Sequence, residues 1–224
     1  MLSWALTSNK ADSVTPFSIL ALGFLLGMRH ATDSDHVIAV TTIVSQQRKL
    51  FSAALTGIFW GIGHSVTLFI VGAAIILFGV VIPERVGMSL EFCVAIMLVL
   101  LGMINLGTFR RRQKHAAHVH DFYNRLRPTI IGIVHGLAGS AAVALLVLPM
   151  IRNPYWAAFY LLVFGAGTIA GMMLITAAIA APITYTATRF QLFNRHVGTV
   201  AGVLSVGFGL FLVHQIGFSE GLFR

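Results

Sequence analysis

Long apolar runs alternate with short polar or basic segments along the whole chain, and each run is about as long as the 20 residues needed to cross roughly 30 Å of hydrocarbon. The six runs cover Phe17–Val44, Ala53–Ile82, Leu90–Phe109, Thr129–Ile151, Trp156–Ile183 and Val197–Ile216. They predict six transmembrane helices. The first, second and fifth are long enough to tilt or break, and glycines punctuate all of them. The pattern is interrupted most sharply inside the first run, where residues 29 to 36 read Arg-His-Ala-Thr-Asp-Ser-Asp-His. A charged side chain at the bilayer centre costs roughly 2.5 to 3.5 kcal/mol on insertion scales, so a cluster of ionisable groups at that depth needs a compensating role.

Composition makes the membrane reading firm. Hydrophobic residues are 57% of the chain and charged residues 10%, with a mean hydropathy of +0.88, far above an ordinary soluble domain. The first sixteen residues lack a basic stretch ahead of the apolar run, so no cleaved signal peptide is expected and the first span serves as its own insertion signal. The single cysteine, Cys93, excludes an intrachain disulfide framework and a thiolate-cluster metal site.

Charge then orients the chain, because short basic loops are retained in the cytoplasm. Loops after spans one, three and five carry ten Lys or Arg residues: Arg48, Lys49, Arg110, Arg111, Arg112, Lys114, Arg125, Arg127, Arg189 and Arg195. The opposite side carries four, Lys10, Arg85, Arg152 and Arg224, with Arg29 counted as intramembrane. The expectation is a multi-pass protein of the cell (inner or plasma) membrane with both termini outside. The formal net charge of +8 then reflects retention and contact with anionic lipid, and nucleic acid is not an expected partner.

The two halves resemble each other. Trp60-Gly-Ile-Gly-His-Ser65 in span two matches Phe164-Gly-Ala-Gly-Thr-Ile169 in span five, and Ala73-Ala-Ile75 matches Ala177-Ala-Ile179. Gly23 and Gly27 resemble Gly132 and Gly136, and Gly102 resembles Gly209. Three spans per unit is odd, so the units insert with opposite orientation, a transporter plan that places the binding site near the midplane where the repeats meet. The expected fold is an all-α membrane protein, six transmembrane helices in a 3+3 inverted repeat with the first helix broken at the midplane. Residues 1–109 form the first repeat with the metal site, 110–128 a basic His-containing cytoplasmic loop, and 129–224 the second repeat.

The chemistry concentrates in the first repeat. Spacing of three puts His30, Asp33 and His36 on a drifting stripe of one helical face while Asp35 points elsewhere; a helix unwound here could instead aim all four inward. His64 lies at a similar depth in span two. Imidazole with carboxylate suits a borderline divalent ion such as nickel, cobalt or zinc, whereas magnesium or calcium sites use oxygen throughout. Arg29 reads as a counter-charge to Asp33 or Asp35, and Ser65, Asn105, His135, Ser140 and Thr168 as residues of the path, each equally open to explanation by helix packing.

These residues resemble a known family. Arg29 to Val37 looks like the signature of the nickel/cobalt transporter family, in which a His, four residues and Asp-His stand within Arg-His-Ala-x-Asp-Ala-Asp-His-Ile; Ser34 and Val37 are mild departures. Phe59 to Thr67 resembles the family's second motif, built around Gly-His-Ser. By that resemblance His30, Asp35 and His36 are the metal-selective residues, Asp33 their acidic companion and His64 a helper from the next helix. Longer members carry about eight spans and a late acidic motif, whereas spans four to six here hold no Asp or Glu. The second half, with His135-Gly-Leu-Ala-Gly-Ser-Ala141, resembles the short six-span branch that includes urease-accessory membrane proteins.

The expected activity is therefore uptake of a divalent transition metal, Ni2+ or Co2+ as transported substrate, with no prosthetic group and no catalysis. The ion would enter from outside, lose water to His30, Asp33, Asp35, His36 and His64, and leave when one repeat rocks against the other. No nucleotide-binding phosphate loop is present, so the membrane potential or an ion gradient supplies the energy. Imidazole coordinates only when neutral, so binding should weaken as pH falls through the histidine range. His115, His118 and His120 beside the basic run Arg110 to Lys114 form a cytoplasmic relay that could hand metal to a metallochaperone. Export, or delivery of metal to an enzyme such as urease, is the alternative. A membrane di-iron oxygenase fits poorly, because its histidines must converge at one depth and the loop and span histidines here are expected half a bilayer apart.

Overall fold

The computed structural model describes residues 16–45, 47, 49–79, 83–111, 121–137, 151, 153–187 and 191–223. Among them every regular element is helical. In chain order these are α1 Pro16–His30, α2 Ser34–Val44, α3 Leu50–Phe78, α4 Glu84–Arg111, α5 Asp121–Leu137, α6 Pro154–Ala187 and α7 Gln191–His214, which continues into a π-helical turn, Gln215–Ser219.

The first apolar run is broken, and Thr32 and Asp33 show how. Asp33 stands ahead of α2 with extended backbone, φ −60° and ψ 146°. The Thr32 hydroxyl donates to the Arg29 carbonyl at 2.6 Å, and the Thr32 amide donates to the same oxygen at 2.8 Å. Short polar side chains compete for backbone groups and so end helices. The other boundaries follow familiar chemistry. Gly79, at φ 60°, closes α3 with its amide on the Ile75 carbonyl at 3.0 Å, a left-handed stop that glycine adopts without steric cost. Asn153 opens α6, its side-chain oxygen accepting from the Tyr155 amide at 2.9 Å, with Pro154 in the first helical position.

Among the described residues, four helical stretches are long and apolar enough to cross a membrane: Leu50–Phe78, Glu84–Gly107, Pro154–Thr186 and His196–Ser219. They correspond to the expected second, third, fifth and sixth spans. The first span is instead two shorter helices, α1 and α2. The fourth differs at its start, since α5 begins at Asp121 rather than Thr129 and runs through Pro128. Part of the stretch expected as a loop, residues 110–128, is thus helical. Proline inside a helix removes one amide donor, and neighbouring helices tolerate this in membrane proteins. Residues 138–150, the remainder of the expected fourth span, lie outside the described residues.

The long helix α3 is central, packing on α5 and α6, while α1 packs on α6 and α4 on α7. Large apolar side chains such as Phe17, Leu25, Ile70, Phe78, Leu204 and Phe211 face outward. Polar side chains are buried between helices: Ser205 donates to Leu98 at 2.8 Å, Thr42 to Ala201 at 3.3 Å and Thr67 to Ile133 at 3.2 Å. An apolar exterior around interhelical hydrogen bonds is the distribution that lipid favours.

Close helix approaches recur in reciprocal pairs. A methyl group on Gly27 would overlap the Phe164 carbonyl and the Thr168 amide, and one on Gly132 would overlap the Trp60 carbonyl and the His64 amide. Gly167 sits against Phe24 as Gly63 sits against Thr129, and Gly102 against Val206 as Gly209 against Val99. These contacts align Gly27 with Gly132, not with Gly136 as the glycine spacing implies. In that register His135 falls where His30 does.

Candidate metal centre

Four helices deliver four imidazoles to one place. His30 ends α1, His36 lies in the first turn of α2, His64 is in the middle of α3 and His135 is near the end of α5. All four are buried, His64 and His135 completely. Ring centroids are 4.7 Å apart for His30 and His36, 5.0 Å for His30 and His64, 5.1 Å for His36 and His64, and 4.2 Å for His36 and His135. The interruption after His30 makes this possible, because α2 restarts close enough for His36 to sit beside His30.

Two carboxylates orient the rings. His30 Nδ1 donates to Asp33 Oδ2 at 2.8 Å, and His36 Nδ1 donates to Asp35 Oδ1 at 3.1 Å. His135 Nε2 donates to the other oxygen of Asp35 at 2.9 Å. A proton held on Nδ1 by a carboxylate leaves Nε2 of His30 and of His36 as the lone-pair nitrogen that a metal would use, and the negative charge makes the ring a better donor. His30 Nε2 lies 2.9 Å from His64 Nε2. His36 Nε2, His64 Nδ1 and His135 Nδ1 are buried without a hydrogen-bond partner among the described residues. A buried polar atom without a partner carries a desolvation cost, which coordination of a cation would remove.

The donor atoms form two overlapping groups, His30 with His36 and His64, and Asp35 with His36 and His135; within each, they lie within 4.8 Å of one another. Trp60 walls the cluster, stacked on His36 at 5.7 Å and 18° and edge-on to His135 at 5.5 Å. It lies one helical turn before His64, a placement visible in the spacing but not singled out by chemistry.

The expected ligands His30, Asp35, His36 and His64 are thus brought together. Asp33 reaches the cluster through His30, and its side chain is 44% exposed. His135 belongs to the cluster itself rather than to a path beyond it; it stands far from the first motif in sequence, and only the structural register pairs it with His30. Arg29 is exposed and, among the described residues, forms no ion pair with Asp33 or Asp35, whose partners are histidines. Ser65 donates to Gly165 at 3.2 Å, Asn105 to Gly198 at 2.9 Å and Thr168 to Phe164 of its own helix at 3.0 Å. Those three side chains fasten backbone. His115, His118, His120 and Ser140 lie outside the described residues.

Buried imidazoles and carboxylates between long apolar helices define a helical membrane protein with a candidate metal centre. The chain is 40% identical to the urease accessory protein UreH of Bacillus sp. (strain TB-90), over 95% of this chain and 98% of that protein. It belongs to that urease-accessory UreH family, the branch of the nickel/cobalt transporter family that its motifs resemble. No family model and no solved structure matches the chain.

Proposed function

We propose that this protein carries a divalent transition metal ion, nickel or cobalt, across the cell membrane into the cytoplasm. The observation that carries the reading is the convergence of four buried imidazoles, two of them oriented by their own carboxylates, at a break in a membrane helix. Packing alone would not need so many ionisable groups in one place. Nitrogen-rich donors with few carboxylates favour a first-row transition metal over magnesium or calcium. The ion is substrate, not a resident cofactor, and no catalytic role is assigned to the chain.

The architecture in this reading is six spans in a 3+3 inverted repeat, with both termini outside and the metal centre near the midplane. The reciprocal glycine contacts support it, because exchanging the halves exchanges Gly27 with Gly132 and Gly63 with Gly167. Rocking of the halves then alternates access, driven by the membrane potential or an ion gradient. A cytoplasmic metallochaperone would receive the ion, a role for which the histidines of the basic sequence segment, His115, His118 and His120, are the candidate relay.

Accumulation of radioactive nickel or cobalt by expressing cells, followed by uptake into proteoliposomes, tests the proposal. His36→Ala should reduce accumulation to background while the protein still reaches the membrane. Undiminished uptake in that variant would remove the site assignment. The name of the UreH relative favours one second reading, a membrane factor that exports metal or delivers it to urease. Net outward flux, or urease activation without flux, would select it.

A further inference from the structure

Building on the metal-handling reading, we propose that Asp35, His36 and His135 form a second metal position beside that of His30, His36 and His64, and that His36 passes the ion from one to the other. Both groups hold their donor atoms within 4.8 Å. Metal-to-imidazole bonds of about 2.0 to 2.1 Å bring neighbouring donors to roughly 3 to 3.4 Å, so either group closes on an ion by side-chain adjustment alone. His36 belongs to both groups. An ion in one position therefore competes with an ion in the other.

The two positions differ in charge and access. The first group consists of three imidazoles, with Asp33 behind His30 and 44% exposed. The second contains a carboxylate, Asp35, only 17% exposed, behind which His135 is completely buried. An ion arriving at the Asp33 end meets His30 and His64, then His36, and gains a charged ligand only on reaching Asp35. His135 Nδ1 is buried without a hydrogen-bond partner among the described residues, and its ring is the nearest of the three to that of His36, at 4.2 Å. Such a succession of sites lets an ion bind without being trapped, since neither position has to hold it tightly.

The experiment uses full-length protein purified in detergent, with Co2+ as spectroscopic probe. His135→Gln keeps an N–H that reaches Asp35 but supplies a poor ligand. It should still bind cobalt through the first group while uptake into proteoliposomes falls about 100-fold, the upper end of what loss of a metal-site residue costs. Wild-type uptake in this variant would show that His135 only hydrogen-bonds, and would overturn the proposal. The paired change His30→Asn with His64→Asn dismantles the first group. Cobalt should still bind, about 10- to 100-fold more weakly, and adding His135→Gln should abolish that residual binding. If the paired variant and its His30→Gln, His64→Gln counterpart are monodisperse yet bind no cobalt, the second position is rejected and the first stands. If the wild-type chain binds neither cobalt nor nickel, the metal-handling reading itself fails.

Discussion

Each imidazole of the cluster is defined by what its second nitrogen does. Asp33 and Asp35 take the Nδ1 protons of His30 and His36, which fixes both tautomers and aims the Nε2 lone pairs inward. The aspartates are therefore expected to act through the rings as much as on the ion. Asp33→Ala should weaken cobalt binding about 10- to 100-fold, measured by calorimetry on detergent-solubilised protein. Asp35→Ala should cost more, because Asp35 holds two rings, His36 and His135. Equal affinity in Asp33→Ala and wild type would mean that the His30 tautomer does not matter. At this scale much of the site is legible from the chain alone: a His, Asp, Asp and His within seven residues of an apolar run is hard to explain otherwise. His135 is less legible, because a lone histidine in a span looks like packing until its neighbours are known.

At the scale of elements, the break between α1 and α2 and the close helix crossings decide whether the site forms. The break is readable, since Thr-Asp-Ser offers side chains that compete with a helix for backbone groups. The crossings are readable only as a richness in glycine. Gly27 admits the backbone of α6 at Phe164, and Gly132 admits that of α3 at Trp60. A larger side chain at Gly27 must push α1, which carries His30, away from α6, and one at Gly132 must push apart α3 and α5, which carry His64 and His135. Gly27→Val and Gly132→Val are each expected to destabilise by about 1 to 3 kcal/mol or more, seen as a lower thermal midpoint in detergent, and to abolish metal binding even where protein remains folded. Retained midpoint and binding in both variants would mean that these crossings do not position the cluster. The helix α5 extends ahead of the apolar run that starts at Thr129, continuing through Pro128.

For the whole molecule, the proposed orientation rests on the basic residues and the proposed two-fold relation between halves on the reciprocal contacts. A cysteine placed near either terminus in a Cys93→Ser background should react with a membrane-impermeant maleimide in intact cells. Labelling of one end alone would require an odd number of spans and break the inverted-repeat plan. Protection of both ends would reverse the orientation, and with it the expected entry side for metal.

Hydrophobicity and charge are summed locally along the chain, so the apolar runs, the membrane setting, the interrupted first span and the clustering of candidate metal ligands at residues 30 to 36 follow from sequence alone. The pairing of α3 with α5 and α6, the register that sets Gly27 against Phe164 and Gly132 against Trp60, and the arrival of His135 beside His36 depend on which surfaces interlock. Interlocking is a property of shape in three dimensions, shared between segments a hundred residues apart. Only the folded bundle turns one histidine-rich motif into a four-imidazole centre built by both halves.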